Sequence, residues 1–192
     1  MNELKVLSYD LRKHVVDMII AGKGGHIGGD MSVMEILVEL YMKQMNISPE
    51  NKDLDNRDRF VLSKGHSVES YYAVLAKKGF FPMEEVISTF SQFGSKFIGH
   101  PNNKLPGIEM NSGSLGHGLP VCVGMAMAGK MDRKDYRVYV VMGDGELAEG
   151  SVWEGAMAAS HYCLDNLCAV VDRNRLQISG CTEDVMGHDD LH

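Results

Sequence analysis

Hydrophobic residues recur at helical spacing near the start of the chain. Between residues 3 and 20, apolar positions lie three and four residues apart, which predicts an amphipathic helix: Leu4, Leu7, Leu11, Val15, Met18 and Ile19. A second apolar stripe follows a glycine-rich stretch at residues 22–30, and Ser32 is the predicted N-cap of that second helix. Composition alone predicts a flexible connector for the glycine-rich stretch, although so many glycines around one histidine also suit backbone packed closely against a neighbour.

Short apolar runs predict three β-strands, at residues 59–62, 138–142 and 167–171. Between the last two runs, residues 151–161 carry small side chains in a helical pattern. A strand, a helix and a strand in that order predict a βαβ unit with parallel strands, because the crossover needs a helix. Further helices are predicted at residues 69–78, ending at Gly79, and at residues 119–131. These patterns indicate an α/β fold.

A glycine-flanked carboxylate follows the strand at residues 138–142, in the turn Gly143-Asp144-Gly145-Glu146. Glycines let the backbone turn sharply and approach a ligand closely, and the following helix offers N–H groups to an anion. A carboxylate facing a diphosphate repels it unless a divalent cation such as Mg²⁺ lies between them. Asn174 follows the neighbouring predicted strand, so parallel strands bring it to the same sheet edge as Asp144. The residues therefore predict a metal–diphosphate site.

A dinucleotide site is the competing interpretation of this turn. Residues 143–148 also satisfy the pattern G-x-G-x-x-A after a strand, which is typical of nicotinamide and flavin sites. This short pattern is weak evidence, and the carboxylate at its first variable position argues against it. The alternative predicts stabilisation by NAD.

Four histidines lie among glycines or other small residues at the ends of predicted elements: His26, His66, His100 and His117. Each one alone has an ordinary structural explanation. Four such settings in one chain suggest imidazoles that converge on a polar substrate, where they can donate hydrogen bonds and transfer protons near neutral pH.

Composition narrows the class of protein. The 192 residues are 44% hydrophobic and 23% charged, with a net charge of −7, as expected of one globular domain that binds neither nucleic acid nor an anionic membrane. The four cysteines contain no C-x-x-C pair and predict free thiols in a reducing compartment. Charged residues among the first apolar ones predict neither a signal peptide nor a spanning helix, so a cytoplasmic location is expected.

Several longer strings resemble transketolase, and most closely the N-terminal subunit of its split, two-gene type. The strings occur in the expected order and cover nearly the whole chain: residues 23–26, 62–66, 99–101, 112–116, 143–150 and 172–177. The resemblance implies a thiamin diphosphate-binding fold with a mostly parallel sheet flanked by helices. It also implies one diphosphate-binding domain at residues 1–192, with an incomplete C-terminal part and an open sheet edge.

The resemblance implies a role for each matching residue. The expected Mg²⁺ ligands are Asp144, Asn174 and the carbonyl of Leu176, and the expected catalytic residues in the substrate channel are His26, His66 and His100. The expected thiamin diphosphate-binding residues are His66, Gly113, Leu115, Gly143, Gly145, Glu146 and Asn174. Glu149 is expected in a carboxylate network that couples subunits.

The implied reaction transfers a two-carbon ketol unit from a ketose phosphate to an aldose phosphate, with thiamin diphosphate and Mg²⁺ as cofactors. It requires a partner, the C-terminal pyrimidine-binding transketolase subunit, in a dimer or heterotetramer, so this chain alone is expected to be inactive. Alternatives are a non-catalytic truncated remnant and a related enzyme such as deoxyxylulose phosphate synthase. The chain departs from the family at His117, at Asp30, and at Val68-Glu69, where small residues are usual beside His66.

Overall fold

The computed structural model describes residues 3–187; the ends of the predicted domain at residues 1–2 and 188–192 lie outside the described residues. Three parallel strands form its main sheet: β1 (Arg59–Leu62), β2 (Val138–Gly143) and β3 (Leu167–Asp172). Their order is β1-β2-β3, with β2 in the centre. The predicted α/β class and the parallel βαβ unit are confirmed, since α6 (Gly150–His161) connects β2 to β3.

The two faces of β2 bury different side chains, because strand residues alternate between faces. Tyr139 and Val141 join a core with the first four helices: α1 (Glu3–Gly22), α2 (Ile27–Glu39), α3 (Val68–Lys78) and α4 (Met83–Thr89). Val138 and Val140 join a second core with α6 and α5 (Gly118–Met131). Helices therefore cover both faces of the sheet, which places the strand ends at the edge where a ligand can reach them.

The predicted start of the second helix is wrong. That helix, α2, begins at Ile27 after His26, so Ser32 lies inside it and does not cap it. The Ser32 hydroxyl instead donates to Asp172 Oδ1 on β3, at 2.5 Å. The glycine-rich stretch is only partly a connector, because its last residues form the first turn of α2. A Cβ on Gly29 would lie 2.6 Å from Ser67 Oγ, which explains the close packing there.

The strand β3 lies at one edge of the described sheet. Three of its side chains are exposed, in contrast to the fully buried centre of β2: Cys168, Ala169 and Val171. After β3 the described chain forms a short antiparallel hairpin, β4 (Leu176–Gln177) and β5 (Gly180–Cys181), and then α7 (Thr182–Met186). The hairpin brings residues 174–179 back towards the end of β2.

The remaining described segments are short. A π-helical turn at Leu40–Gln44 ends α2, and 3₁₀ turns follow β1 at Gly65–Ser67 and β2 at Gly145–Ala148. Gly79 ends α3 in the left-handed conformation (φ 100°), as predicted. None of the helices within residues 3–187 combines the length and apolar character needed to cross a membrane. All four cysteines are free thiols.

Candidate active site

A cavity of about 710 Å³ lies at the carboxyl ends of β1, β2 and β3. Open parallel sheets bind ligands at this edge, because loops from several strands converge there. The eleven residues predicted for catalysis, cofactor and metal all line it: His26, His66, His100, Gly113, Leu115, Gly143, Asp144, Gly145, Glu146, Asn174 and Leu176. The structure therefore brings together segments that are far apart in the sequence.

Asp144 lies at the junction of β2 and the loop that follows β3. Its carboxyl group is buried (3% exposed), and Oδ2 accepts hydrogen bonds from the Arg175 backbone N–H at 2.8 Å and from Thr182 Oγ1 at 3.3 Å. Arg175 has the left-handed conformation (φ 62°), and next to it Asn174 Oδ1 accepts from the Leu176 N–H at 2.9 Å. This tight loop holds Asn174 and Leu176 beside Asp144.

The donor groups at this end of the cavity fit a hard cation. Asp144, Asn174 and Leu176 offer one carboxylate, one amide oxygen and one backbone carbonyl, which are the oxygen ligands that Mg²⁺ accepts together with phosphate oxygens. Among residues 3–187, no three or more His, Cys, Asp or Glu side chains lie close enough together to hold a metal ion. This part of the chain therefore contains no metal site made of such side chains alone, such as the His and Cys clusters that bind softer metals. The cavity-lining Gln177 carries a buried Oε1 with no donor in the described protein, and it can accept a hydrogen bond from a ligand.

Glu146 connects three segments around the cavity. One carboxylate oxygen accepts from the Gly116 N–H at 2.8 Å and from the Ser63 hydroxyl, and the other accepts from the Gly143 N–H at 3.1 Å. Ser63 Oγ in turn accepts from the Gly118 N–H at 3.1 Å. The side chain is 1% exposed. Its described partners are protein groups, so Glu146 holds the loop at residues 112–118 against the ends of β1 and β2.

Sequence reasoning missed a buried ion pair beside this cavity, which Lys64 lines. Lys64 Nζ lies 2.6 Å from Asp172 Oδ2, and both side chains are nearly inaccessible to solvent (1% and 7% exposed). Lys64 follows β1 and Asp172 ends β3, so the pair bridges the two outer strands across β2. Both residues lie within the strings that resemble transketolase, but nothing in their spacing indicates that they contact each other.

Three of the four histidines converge as predicted. The ring centroids of His26 and His66 are 5.6 Å apart, and those of His26 and His100 are 5.9 Å apart. Burial, reinforced by the Lys64 charge and the neighbouring imidazoles, lowers the pKa of His66 to about 4. Burial and His26 also lower the pKa of His100. Near neutral pH these imidazoles are therefore uncharged, and each can donate one hydrogen bond and accept another.

The prediction that His117 joins this cluster is wrong. His117 is exposed at the start of α5, where its Nδ1 lies 3.0 Å from the Leu115 carbonyl oxygen, and it does not line the cavity. The side chain turns back to its own loop, and the next residue, Gly118, packs against Ser63. Glu149 is also exposed, immediately before α6, so its expected role between subunits stays a prediction.

Gly113 allows the loop at residues 112–118 to approach the imidazoles. Its φ of 152° disfavours other residues, and a Cβ there would lie 2.8 Å from His100 Cδ2. The preceding Ser112 hydroxyl donates to the Leu62 carbonyl at the end of β1, at 2.6 Å. Gly145 is also closely packed, since a Cβ there would lie 2.7 Å from Gln177 Cγ unless that side chain moved. Both glycines therefore form a close backbone wall around the cavity.

The chain matches the family described as "Transketolase, thiamine diphosphate binding domain" over residues 5–192. It is 54% identical over 183 residues to an apulose-4-phosphate transketolase subunit of Phocaeicola vulgatus, covering 95% of this chain and 65% of that protein. It is 44% identical over 162 residues to the 6-deoxy-6-sulfo-D-fructose transketolase subunit SqwG of a Clostridium species, covering 84% of this chain and 58% of that protein.

Solved structures agree with these sequence matches. The transketolase from Campylobacter jejuni superposes with a TM-score of 0.91 at 31% identity, covering 98% of this chain and 31% of that chain. The chain thus spans slightly less than two thirds of the length of the similar subunits and about a third of the length of this transketolase. The expected thiamin diphosphate-binding fold is confirmed, and the family match replaces the dinucleotide interpretation of residues 143–148.

Proposed function

This chain belongs to the transketolase family as a thiamin diphosphate-binding domain, and we propose that it works as the diphosphate-binding part of a split transketolase. In that role it binds thiamin diphosphate and Mg²⁺, and with a pyrimidine-binding partner it transfers a two-carbon ketol unit from a ketose phosphate to an aldose phosphate. The observation that carries this proposal is the convergence of all eleven predicted site residues on one cavity at the strand ends.

Two kinds of group line the cavity, and they would have different roles: oxygen ligands for the metal, and glycine backbone for the cofactor. Asp144, Asn174 and the Leu176 carbonyl would hold Mg²⁺, because they supply hard oxygen ligands beside the glycine turn. Gly143 and Gly145 would bring backbone close to the diphosphate, and the loop containing Gly113 and Leu115 would contact the aminopyrimidine. Glu146 would keep that loop in place through its bonds to Gly116 and Gly143.

Thiamin diphosphate, when bound, supplies the reactive carbon that accepts and passes on the two-carbon unit. The protein then has to orient the sugar, exclude water and move protons at the sugar hydroxyls. His26, His66 and His100 suit that task, because their rings lie within 6 Å of one another in the pairs described. The lowered pKa values of His66 and His100 keep these imidazoles neutral, so they can accept a hydroxyl proton near pH 7.

The partner and the substrate are proposed from the similar proteins. Two of them are named as subunits, which supports a second chain that completes the active site, in a dimer or heterotetramer. By the family resemblance, that chain would supply the glutamate that activates the cofactor and the arginines that bind sugar phosphate. Apulose 4-phosphate is the first donor to test, because the relative at 54% identity is named for it.

Thermal unfolding of the chain tests cofactor binding directly. Thiamin diphosphate with Mg²⁺, at one hundred times its dissociation constant, should stabilise the protein by about 2.7 kcal/mol. Thiamin diphosphate with EDTA and NAD with Mg²⁺ are the matched controls, and neither should raise the melting temperature comparably. Stabilisation by NAD alone would overturn the proposal in favour of a dinucleotide site.

Reconstitution with a pyrimidine-binding transketolase subunit tests the reaction. The mixture should convert a ketose phosphate and an aldose phosphate, and either chain alone should be inactive. Cofactor binding without turnover against any tested pair of sugars, in a complex shown to assemble, would favour the non-catalytic remnant. Formation of deoxyxylulose phosphate would assign the chain to the related synthase.

A further inference from the structure

Two carboxyl side chains lie fully buried beside the imidazole cluster. Asp30 is in the first turn of α2 and Glu69 is in the first turn of α3, and both are 0% exposed. The described ion pairs all join other residues, so no cation compensates either charge in that part of the chain. Burying two ionised carboxylates without a cation costs a large amount of free energy, so the protonation state of this pair needs an explanation.

Hydrogen bonds from the protein satisfy two of the four carboxyl oxygens. Asp30 Oδ1 accepts from the Ser70 N–H at 2.8 Å, and Glu69 Oε1 accepts from the His26 N–H at 3.3 Å. Asp30 Oδ2 and Glu69 Oε2 have no donor in the described protein. Asp30 and Glu69 are close neighbours, because Asp30 binds the N–H of Ser70, the residue next to Glu69. Two ionised carboxylates carry no proton that could satisfy the two remaining oxygens, whereas one shared proton satisfies both.

We propose that Asp30 and Glu69 share one proton and form a positioning pair for the imidazole cluster. Glu69 holds the His26 backbone at the entry to α2. The pair also places a single buried negative charge next to His26 and His100. The role towards the imidazoles rests on the proposed function, but the shared proton does not.

Local packing supports a defined position for Glu69. A Cβ on Gly25 would lie 2.3 Å from Glu69 Oε1, so the glycine before His26 leaves the space that this carboxyl group occupies. Ser70 contacts Asp30 twice, because its hydroxyl also donates to the Asp30 carbonyl at 2.9 Å. The acid pair therefore joins the starts of α2 and α3 at the point where His26 enters the cavity.

The surrounding groups show how the pair titrates. The titratable groups closest to the pair are His26 before α2, Tyr72 on α3 and His100 on the loop after α4. His66 packs near Gly29, which precedes Asp30, and the Arg12 guanidinium on α1 donates to the carbonyl of Met31, which follows it. Burial, followed by the Glu69 charge, raises the pKa of Asp30 to about 8. A raised carboxyl pKa means that the folded protein holds a proton which the unfolded chain releases, so stability falls as pH rises towards 8.

The pH dependence of thermal unfolding tests the shared proton on the full chain. The contribution of His66 to stability is complete above pH 6.5 and no longer changes with pH there, because its pKa is lowered, so the range pH 6.5–8 isolates the pair. The parent's melting temperature should fall by roughly 4–8 °C across this range. Asp30→Asn and Glu69→Gln, which mimic the protonated acid, should each remove more than half of that fall. Glu84→Gln, an exposed change on α4, should leave it unchanged.

Two outcomes would overturn the shared proton. One is an equal fall in melting temperature for the parent and both single amide variants. The other is failure of both amide variants to fold, because an amide retains the size of the acid and the hydrogen bond to its partner. Neither outcome depends on thiamin diphosphate or on turnover, so failure of this inference is distinguishable from failure of the proposed function.

Histidine titration by NMR tests the charge that the pair supplies. The Glu69 charge raises the pKa of His100, against the larger lowering effects of burial and His26. Asp30→Asn keeps one negative charge and should leave the His100 midpoint in place. The double variant Asp30→Asn/Glu69→Gln removes that charge and should move the His100 midpoint to lower pH. An unchanged midpoint in the double variant would leave the pair without its proposed role.

Discussion

The two ends of the cavity are built in different ways. At the diphosphate end, defined by Asp144, Gly145 and Asn174, backbone N–H groups of the adjacent loop donate to the polar side chains. At the imidazole end, defined by His26, His66 and His100, the rings come from three segments that only tertiary packing brings together. A buried acid pair, Asp30 and Glu69, lies beside that second end.

Under the proposed function, this difference separates two chemical tasks. The diphosphate end presents oxygen atoms and close backbone, which suit a cation and phosphate groups. The imidazole end presents imidazole rings, which suit hydrogen bonding and proton transfer at the hydroxyl groups of a sugar. Substitutions at the two ends should therefore affect different measurements, binding at the first and turnover at the second.

The largest effect is expected from Asp144→Ala. Loss of the only carboxylate among the proposed metal ligands should abolish Mg²⁺-dependent binding of thiamin diphosphate, weakening it by about 100-fold or more. Calorimetric titration of the protein assembled with its partner measures this directly. Asp135→Ala, an exposed change before β2, is the matched control. Parent-like affinity in the Asp144 variant would make the metal assignment wrong.

The second effect is expected from His100→Ala in the assembled enzyme. Turnover should fall by about 10²-fold, because a positioned proton-transfer group is lost. Cofactor affinity should stay within about threefold, since His100 lies at the other end of the cavity from Asp144. Steady-state kinetics and calorimetry on the same preparation make the comparison. Unchanged turnover would place this histidine outside the chemistry.

Gly113→Ala should affect both ends, because this glycine lies in the loop that Glu146 holds and packs against the His100 ring. Its backbone conformation and the 2.8 Å approach to His100 Cδ2 predict a loss of about 1–3 kcal/mol of unfolding free energy. Gly124→Ala on α5 is the control, because a Cβ at that position would have no neighbouring atom within 4 Å. That control should be neutral or stabilising by up to about 1 kcal/mol. Equal stability of the two variants would contradict the proposed steric role of Gly113.

The smallest effect concerns His66 and pH. Its pKa is lowered to about 4, so the unfolded chain takes up a proton that the folded protein excludes between pH 4 and 6.5. This contribution to stability is complete above pH 6.5 and is lost as pH falls towards 4. His66→Asn should flatten the dependence of melting temperature on pH between pH 4 and 6.5. The control His161→Asn, at an exposed position, should match the parent. Identical slopes for His66→Asn and the parent would argue against a buried neutral imidazole.

Short-range patterns in the sequence determined the elements and one half of the site. The apolar run at residues 138–142 predicted β2, and the glycine turn placed Asp144 directly after that strand. Parallel strands then required Asn174 to lie at the same edge. These inferences succeeded because they depend on strand periodicity, glycine turns and the handed βαβ connection, all of which act within a few tens of residues.

Only the tertiary structure decided which distant polar groups contact each other. Three interactions each join different elements of the fold: the Lys64–Asp172 ion pair, the Ser32–Asp172 hydrogen bond and the hydrogen bond from the Ser70 N–H to Asp30. Such contacts depend on how helices pack on the sheet, and local periodicity contains no information about that packing. The same reason explains the exclusion of His117, whose sequence setting matches that of the other three histidines although its side chain turns back to the Leu115 carbonyl of its own loop.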